Sequence, residues 1–130
     1  MPARATRIPE ARLLSKQERD LVQWLIDHGT GDVADMSSQL ERAMVSARCS
    51  CGCASIDMAI DSAEEGAAEP MEVIADFAWR SEAGNLFGAC LFTRRGRLAG
   101  LDLWSIDGCE IPIRLPDPDS LFPLAQPQNG

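Results

Sequence analysis

The sequence predicts an α+β domain in which two N-terminal helices pack on one face of a five- or six-stranded antiparallel meander sheet. Apolar residues recur at helical spacing before Met44 and at every second position after it, which indicates helices followed by strands. Turn signals separate the later segments. Helices segregated from an antiparallel sheet are typical of the α+β class. A length of 130 residues suits one domain with its own core.

The first helix is predicted over residues 16–28. Ser15 and Glu18 have the spacing of a capping box, in which each side chain accepts a hydrogen bond from the other residue's backbone N–H. Gly29 ends this helix. A second, shorter helix starts near Asp32. Its apolar face comprises Val33, Met36 and Leu40.

Alternation of apolar and polar residues predicts the strands that follow. A half-buried strand contains Ile56, Met58 and Ile60, with polar residues between them on a wet face. Residues 86–94 are apolar on both faces, so their strand is expected to be central in the sheet. Between these two lies a long strand, one face of which is expected to carry Met71, Val73, Ala75, Phe77 and Trp79.

Two hairpin turns are predicted near the end of the domain. An Arg-Gly pair at residues 95–96 and an Asp-Gly pair at residues 107–108 are strong signals of two-residue turns. The second turn is expected to lead into a short edge strand at residues 109–114, limited by Pro112, which has no N–H to donate to a ladder.

The domain boundaries follow from proline content and local charge. Residues 1–12 are predicted to be an irregular basic arm, and residues 13–119 the single α+β domain. Residues 120–130 are predicted to be a Pro-rich tail, partly disordered.

The charge of the chain excludes several function classes. With 20 acidic and 12 basic residues, the formal charge is −8. Nucleic acids and anionic membrane surfaces are bound by clustered cations, so neither is an expected partner.

No apolar run approaches the roughly 20 residues that span a bilayer. The N-terminus lacks the apolar core of a secretory signal, so the expected location is cytoplasmic, where the five cysteines would be reduced thiols or metal ligands.

Cys49, Cys51 and Cys53 form the most unusual feature of the sequence. Thiolates at this density suit a soft or borderline metal ion such as Zn²⁺ or Cu(I), and zinc is the candidate cofactor. In an extended strand their sulfurs would be too far apart for one ion, but Gly52 can break the strand and fold the thiols together. The candidate fourth ligands are His28, Cys90 and Cys109.

Two other interpretations of this cluster stay open. The three residues can be small structural thiols at a tight bend between two strands. Alternatively, one of them can be a redox or nucleophilic cysteine, because the neighbouring Arg48 favours a thiolate. The C-x-x-C spacing of thioredoxin-like sites and of paired zinc ligands is absent from the sequence.

His28 is the only histidine of the chain. Its position at the end of a predicted helix favours a cap that interacts with the helix dipole. The alternative is a general base held by the adjacent Asp27.

Charged residues supply the candidate partner-binding positions. Asp57, Asp61 and Asp76 belong to an acidic stretch and are expected to line the wet face of two adjacent strands, where they can attract a basic partner. Arg94, Arg95 and Arg97 surround the predicted turn at 95–96 and can contact an anion or an acidic partner. The simpler interpretation of both groups is solvated surface.

Residues 51–57, with the sequence Cys-Gly-Cys-Ala-Ser-Ile-Asp, follow a helical segment that contains Trp24 and a Gln-Leu pair at 39–40. This layout resembles a family of small uncharacterised bacterial proteins with a C-x-C-G-C-x-S-I-D type motif, over roughly residues 12–119. It is also similar to helix-then-sheet immunity-like domains found near bacterial toxin systems. The resemblance implies no catalytic residues.

The function predicted from the sequence is a non-enzymatic protein-binding module, immunity-like or regulatory, with an unknown protein partner and a homodimer as a candidate assembly. The alternatives are a metal-binding protein built on Cys49, Cys51 and Cys53, and a cysteine-dependent enzyme. No phosphate-binding loop, nucleophile elbow or H-E-x-x-H zinc motif occurs in the sequence.

Overall fold

The structure, a computed structural model, describes residues 7–60, 71–108 and 110–123. Within these ranges the chain forms two helices and a seven-stranded antiparallel sheet, which confirms the α+β class and corrects the expected number of strands. The elements are β1 (Arg7–Leu13), α1 (Lys16–His28), α2 (Val33–Leu40), β2 (Ala43–Cys49), β3 (Ile56–Ile60), β4 (Glu72–Arg80), β5 (Leu86–Arg94), β6 (Arg97–Ser105) and β7 (Phe122–Pro123), with a 3₁₀ turn at Pro118–Ser120.

The start of α1 is fixed by the predicted capping box. The Ser15 side chain accepts from the Glu18 backbone N–H at 3.1 Å, and the Glu18 carboxylate accepts from the Ser15 N–H at 2.8 Å. The Arg12 guanidinium also donates two hydrogen bonds of 2.9 Å to this carboxylate. The first helix is therefore attached to strand β1 as well as capped.

The strand order of the sheet is β1-β2-β3-β6-β5-β4-β7. The predicted meander is correct for β4, β5 and β6 but wrong after β3, which pairs with β6 and not with β4. Gly100 of β6 lies at this junction, where an added Cβ atom would be 2.3 Å from the Phe92 ring and 3.2 Å from the Ile56 carbonyl oxygen. Only glycine allows both neighbours to approach so closely.

Both ends of the described chain join the sheet. The arm predicted to be irregular over residues 1–12 forms strand β1 from Arg7 onward and pairs with β2. Beyond the main strands, Phe122 and Pro123 pair with β4 as β7. Residues 124–130, part of the predicted disordered tail, lie outside the described residues.

The predicted edge strand at 109–114 is wrong over its described part, residues 110–114. The Glu110 carboxylate accepts a hydrogen bond of 2.7 Å from the Asn85 side chain, in the turn between β4 and β5. The Pro112 carbonyl oxygen accepts from the Ala54 N–H at 2.9 Å, in the loop between β2 and β3. These two attachments direct the segment across the end of the sheet, away from the outer edge that a further strand would need.

The hydrophobic core lies between the helices and the sheet. Helix α1 contacts β4 and β5, helix α2 contacts β6, and the two helices contact each other. Neither described helix combines the length and hydrophobicity that a membrane span requires. Core side chains include Leu21, Val22, Leu25, Ile26, Ile74, Trp79, Phe87, Leu91, Leu101 and Leu103.

The long strand β4 departs from the predicted alternation. A register shift between Val73 and Ala75 leaves Val73 and Met71 exposed, whereas Trp79 is buried in the core and Phe77 packs against it. The extra residue in β4 moves the side chains that precede it to the other side of the sheet. The predicted apolar face therefore begins only at Ala75.

The Arg12–Glu18 contact predicts an acid-sensitive contribution to stability. Burial raises the pKa of Glu18, but the hydrogen bonds from Arg12 and Ser15 outweigh it and hold that pKa below its usual value. The stabilisation is therefore present at neutral pH and lost as the pH falls through the folded-state pKa. We expect Glu18→Gln to lower the free energy of unfolding by about 1–2 kcal/mol at neutral pH, and by less in acid, in urea titrations. Glu82→Gln, at an exposed turn carboxylate, is the matched control, and an equal loss for Glu18→Gln at both pH values would contradict the prediction.

Candidate metal centre

The three thiols lie where β2 ends and turns towards β3. Cys49 is the last residue of β2, and the Gly52 N–H donates to the Cys49 carbonyl oxygen at 3.4 Å. Gly52 has a φ of 92°, in the left-handed region that favours glycine. This bend brings the sulfurs of Cys49, Cys51 and Cys53 within 4.8 Å of one another. The prediction that Gly52 breaks the strand and folds the thiols together is confirmed.

The thiol loop is attached to strand β6 as well as to the segment at Pro112. The Ser55 hydroxyl accepts a hydrogen bond of 2.8 Å from the Leu103 N–H and donates one of 3.1 Å to the Leu103 carbonyl oxygen. The Cys53 thiol donates to the same hydroxyl at 3.4 Å. One buried serine therefore continues the pairing of β3 with β6 and orients a cysteine of the cluster.

Within the cluster, the sulfurs of Cys49 and Cys51 are 3.0 Å apart. The hydrogen bond between the Cys51 thiol and the Cys49 sulfur is the main cause of the raised pKa of Cys51, which is about 11, and burial is the second cause. The three thiols differ in solvent exposure: Cys49 is buried, Cys53 is partly buried and Cys51 is exposed. The cluster therefore has one sulfur in the body of the protein and one at its surface.

Arg48 does not activate the exposed thiol as the sequence suggested. Its guanidinium forms an ion pair of 3.4 Å with Glu10 of strand β1. The pKa of Cys51 is raised, the opposite of what a dominant neighbouring cation produces. The expectation of a thiolate favoured by Arg48 is therefore wrong for Cys51.

His28, a predicted fourth ligand, lies on the other half of the molecule. Its ring stacks on Trp24 with centroids 3.8 Å apart and meets the Phe77 ring of β4 edge-on. Four strand spacings separate β4 from β2 in the sheet, roughly 19 Å at about 4.8 Å each, which is too far for a shared metal ion.

The His28 ring is held by its own helix. Its Nδ1 lies 2.8 Å from the Trp24 carbonyl oxygen, which can only accept, so Nδ1–H is the donor. Asp27 accepts a hydrogen bond from Gln23. The predicted base held by Asp27 is therefore not assembled, whereas the histidine does occupy the helix end.

The two other predicted fourth ligands are cysteines. Cys90 is buried in the middle of β5, paired with Asp102 of β6 and Asp76 of β4. Three strand spacings, roughly 14 Å, separate β5 from β2. Cys109 lies outside the described residues, so its role as a ligand stays a prediction.

The structure does not bring the predicted acidic residues together. Asp57 forms an ion pair of 3.7 Å with Arg7, which also approaches Asp102 at 3.5 Å. Asp76 is on β4, and β6 and β5 lie between β4 and the strand of Asp57. The expectation of adjacent strands is therefore wrong. Asp61 lies outside the described residues.

The arginines at the turn of residues 95–96 take different positions. Arg95 and Gly96 have φ values of 54° and 76°, which confirms the predicted tight hairpin. The Arg94 guanidinium lies over the Phe92 ring, 5.6 Å from its centroid. Arg95 and Arg97 are exposed, and binding of an anion or a partner by these arginines stays a prediction.

The residues that support the cluster were not predicted from the sequence. Ser55, in the thiol loop, is hydrogen-bonded to Leu103 of β6. Pro112, far along the chain, accepts a hydrogen bond from Ala54 of the same loop. Ser55 belongs to the motif at residues 51–57, but that motif does not indicate its partner Leu103 on β6. Only the polar position of Ser55 directly before an apolar strand residue hinted at a specific role.

No family model matches the chain, and comparison with curated proteins and with solved structures found no match. The resemblances noted in the sequence therefore stay predictions. Inferences about function rest on the geometry of the thiol cluster and its surroundings.

The contact between the two sulfurs predicts how Cys51 reacts. Replacing Cys49 by alanine removes the main cause of the raised pKa, so more Cys51 is thiolate at neutral pH. We expect Cys49→Ala to accelerate alkylation of Cys51 by iodoacetamide about tenfold at neutral pH, since the larger thiolate fraction outweighs its lower nucleophilicity. Fragment-ion mass spectrometry locates the modified cysteine. Cys90→Ala is the control, and unchanged or slower alkylation in Cys49→Ala would rule out the hydrogen bond as the cause.

Proposed function

We propose that the protein binds one thiophilic metal ion, Zn²⁺ or Cu(I), through Cys49, Cys51 and Cys53. The observation that supports this function is the convergence of three sulfurs within 4.8 Å. In a tetrahedral site with Zn–S bonds of about 2.3 Å, neighbouring sulfurs are roughly 3.8 Å apart. The Cys49–Cys51 distance of 3.0 Å must then open by only about 0.8 Å.

The donor set selects the class of metal. Three thiolates are soft ligands, which suit Zn²⁺ and Cu(I) and disfavour Ca²⁺ and Mg²⁺, whose ligands are oxygen atoms. Coordination requires loss of the thiol protons. Because the pKa of Cys51 is raised to about 11, protons compete strongly with the metal, and affinity is expected to increase with pH.

The position of the cluster indicates what a bound ion does. Cys49 belongs to β2, and Cys53 is held through Ser55 to β6. An ion bound by both residues crosslinks the loop at the junction of the two halves of the sheet. A cysteine-dependent enzyme is the less favoured alternative, because the exposed Cys51 is largely protonated at neutral pH. The protein-binding module, the homodimer and the cytoplasmic location stay predictions.

Metal titration of the reduced full-length chain tests the proposal. We expect one Zn²⁺ or Cu(I) per chain in competition with a chromophoric chelator, and Co²⁺ to give thiolate charge-transfer absorption. Cys49→Ser, Cys51→Ser and Cys53→Ser should each weaken binding by at least about tenfold. Cys90→Ser should bind as the unchanged chain does, and Cys109→Ser tests the predicted fourth ligand. Absence of stoichiometric binding, or retention of full affinity in all three single variants, would refute the metal site.

The turn at Gly52 offers a second test that leaves every thiol in place. No atom lies within 4 Å of an added Cβ at Gly52 or at Gly84, and both residues have a positive φ. Alanine at either position is therefore expected to cost about 1–2 kcal/mol of stability through backbone strain alone. Only Gly52→Ala is expected to weaken metal binding as well, since only this turn brings the sulfurs together. Equal metal affinities of the Gly52→Ala and Gly84→Ala variants would contradict this dependence.

A further inference from the structure

Cys49 and Cys51 have the geometry of a disulfide pair as well as that of metal ligands. Their sulfurs are 3.0 Å apart, about 1 Å longer than a disulfide bond. The two residues share one turn, closed by the Gly52 N–H on the Cys49 carbonyl oxygen. Formation of the bond therefore requires a small movement within one loop.

We propose that Cys49 and Cys51 form a reversible intramolecular disulfide by exchange with low-molecular-weight disulfides. This inference rests on the contact between the two sulfurs and is independent of metal binding. It adds a redox reaction to the cluster.

The different exposure of the two sulfurs assigns their roles. Cys51 is exposed, so its sulfur meets a disulfide that arrives from solution, whereas Cys49 is buried behind it. The minor thiolate form of Cys51 attacks one sulfur of the incoming disulfide, whose S–S bond breaks and releases one thiolate. The exchange is therefore expected to be faster at alkaline pH than at neutral pH. The Cys49 thiolate then attacks the Cys51 sulfur of the mixed disulfide and releases the second thiolate.

The reaction balances without a further reagent. The two cysteines lose two electrons and two protons and become one disulfide. The incoming disulfide gains both and becomes two small thiols. The same steps run in reverse when a small thiol is in excess.

The surroundings select this pair among the cysteines of the cluster. The Cys53 thiol is directed to the Ser55 hydroxyl, which is itself held by both backbone groups of Leu103. Cys90 is three strands away from β2 in the sheet order. Cys51 also has a side-chain contact with Cys53, but within the cluster only the pair of Cys49 and Cys51 combines the exposed sulfur with the buried one.

Peptide mapping after oxidation tests the bond. The reduced, chelator-treated full-length chain is incubated with excess glutathione disulfide, and remaining thiols are alkylated before digestion with trypsin. Cleavage after Arg48 and Arg80 releases Cys49, Cys51 and Cys53 in one peptide, residues 49–80. We expect this peptide to lose two hydrogen atoms and to carry one alkyl group, on Cys53. Dithiothreitol should restore the three free thiols.

Single variants distinguish the outcomes. Cys53→Ser should keep the loss of two hydrogen atoms, whereas Cys49→Ser should accumulate a glutathione adduct on Cys51. The proposal is overturned by an alkyl group on Cys49 or Cys51 in the oxidised unchanged chain, by a crosslink to the peptides of Cys90 (81–94) or Cys109 (98–114), or by no reaction. Because the chain is metal-free throughout, these results are independent of those of the metal titration.

Discussion

The pairing of β3 with β6 is the constraint on which the rest of the structure depends. It joins the half of the sheet built from β1, β2 and β3 to the half built from β4, β5 and β6. Only Ile56 with Leu101 and Asp57 with Gly100 are paired through the backbone ladder. The Ser55 hydroxyl extends this short junction by bonding to both backbone groups of Leu103. The absence of a side chain at Gly100 leaves the space that the junction needs.

The thiol cluster is placed by that same junction. The loop leaves β2 at Cys49, reverses at Gly52, and is held again at Ala54 and Ser55 before β3 begins. Both ends of the loop are therefore fixed, and the three sulfurs converge between them. A cluster on a loop without these attachments would lose more conformational entropy on binding an ion, because the loop would have to be ordered at that moment.

The two proposed chemistries use the same sulfurs in different protonation and oxidation states. A metal ion needs Cys49, Cys51 and Cys53 as thiolates, whereas a disulfide removes Cys49 and Cys51 as thiolate ligands. If both reactions occur, oxidation and metal binding exclude one another at this loop. The burial of Cys49 and the exposure of Cys51 give both reactions the same point of access from solution.

Local sequence patterns were sufficient where the interacting groups are close in the chain. The Ser15–Glu18 capping box, the end of α1 at His28, the turn at Arg95 and Gly96, and the bend at Gly52 each depend on a few consecutive residues. The conformational preference of those residues decides the result, so these features were predicted correctly.

Only the tertiary structure decided which strands are neighbours. Alternation shows that a segment is a strand but contains no information about its partner, so the pairing of β3 with β6 and the strand at Arg7–Leu13 were missed. The same limit explains why His28 and Cys90 were candidate ligands and why Asp57 and Asp76 were placed side by side. The sequence by itself determined that three thiols can converge at Gly52. The long-range hydrogen bonds of Ser55 and Pro112 decided where that bend is held and which sulfur faces solvent, because such contacts form only when distant segments pack together.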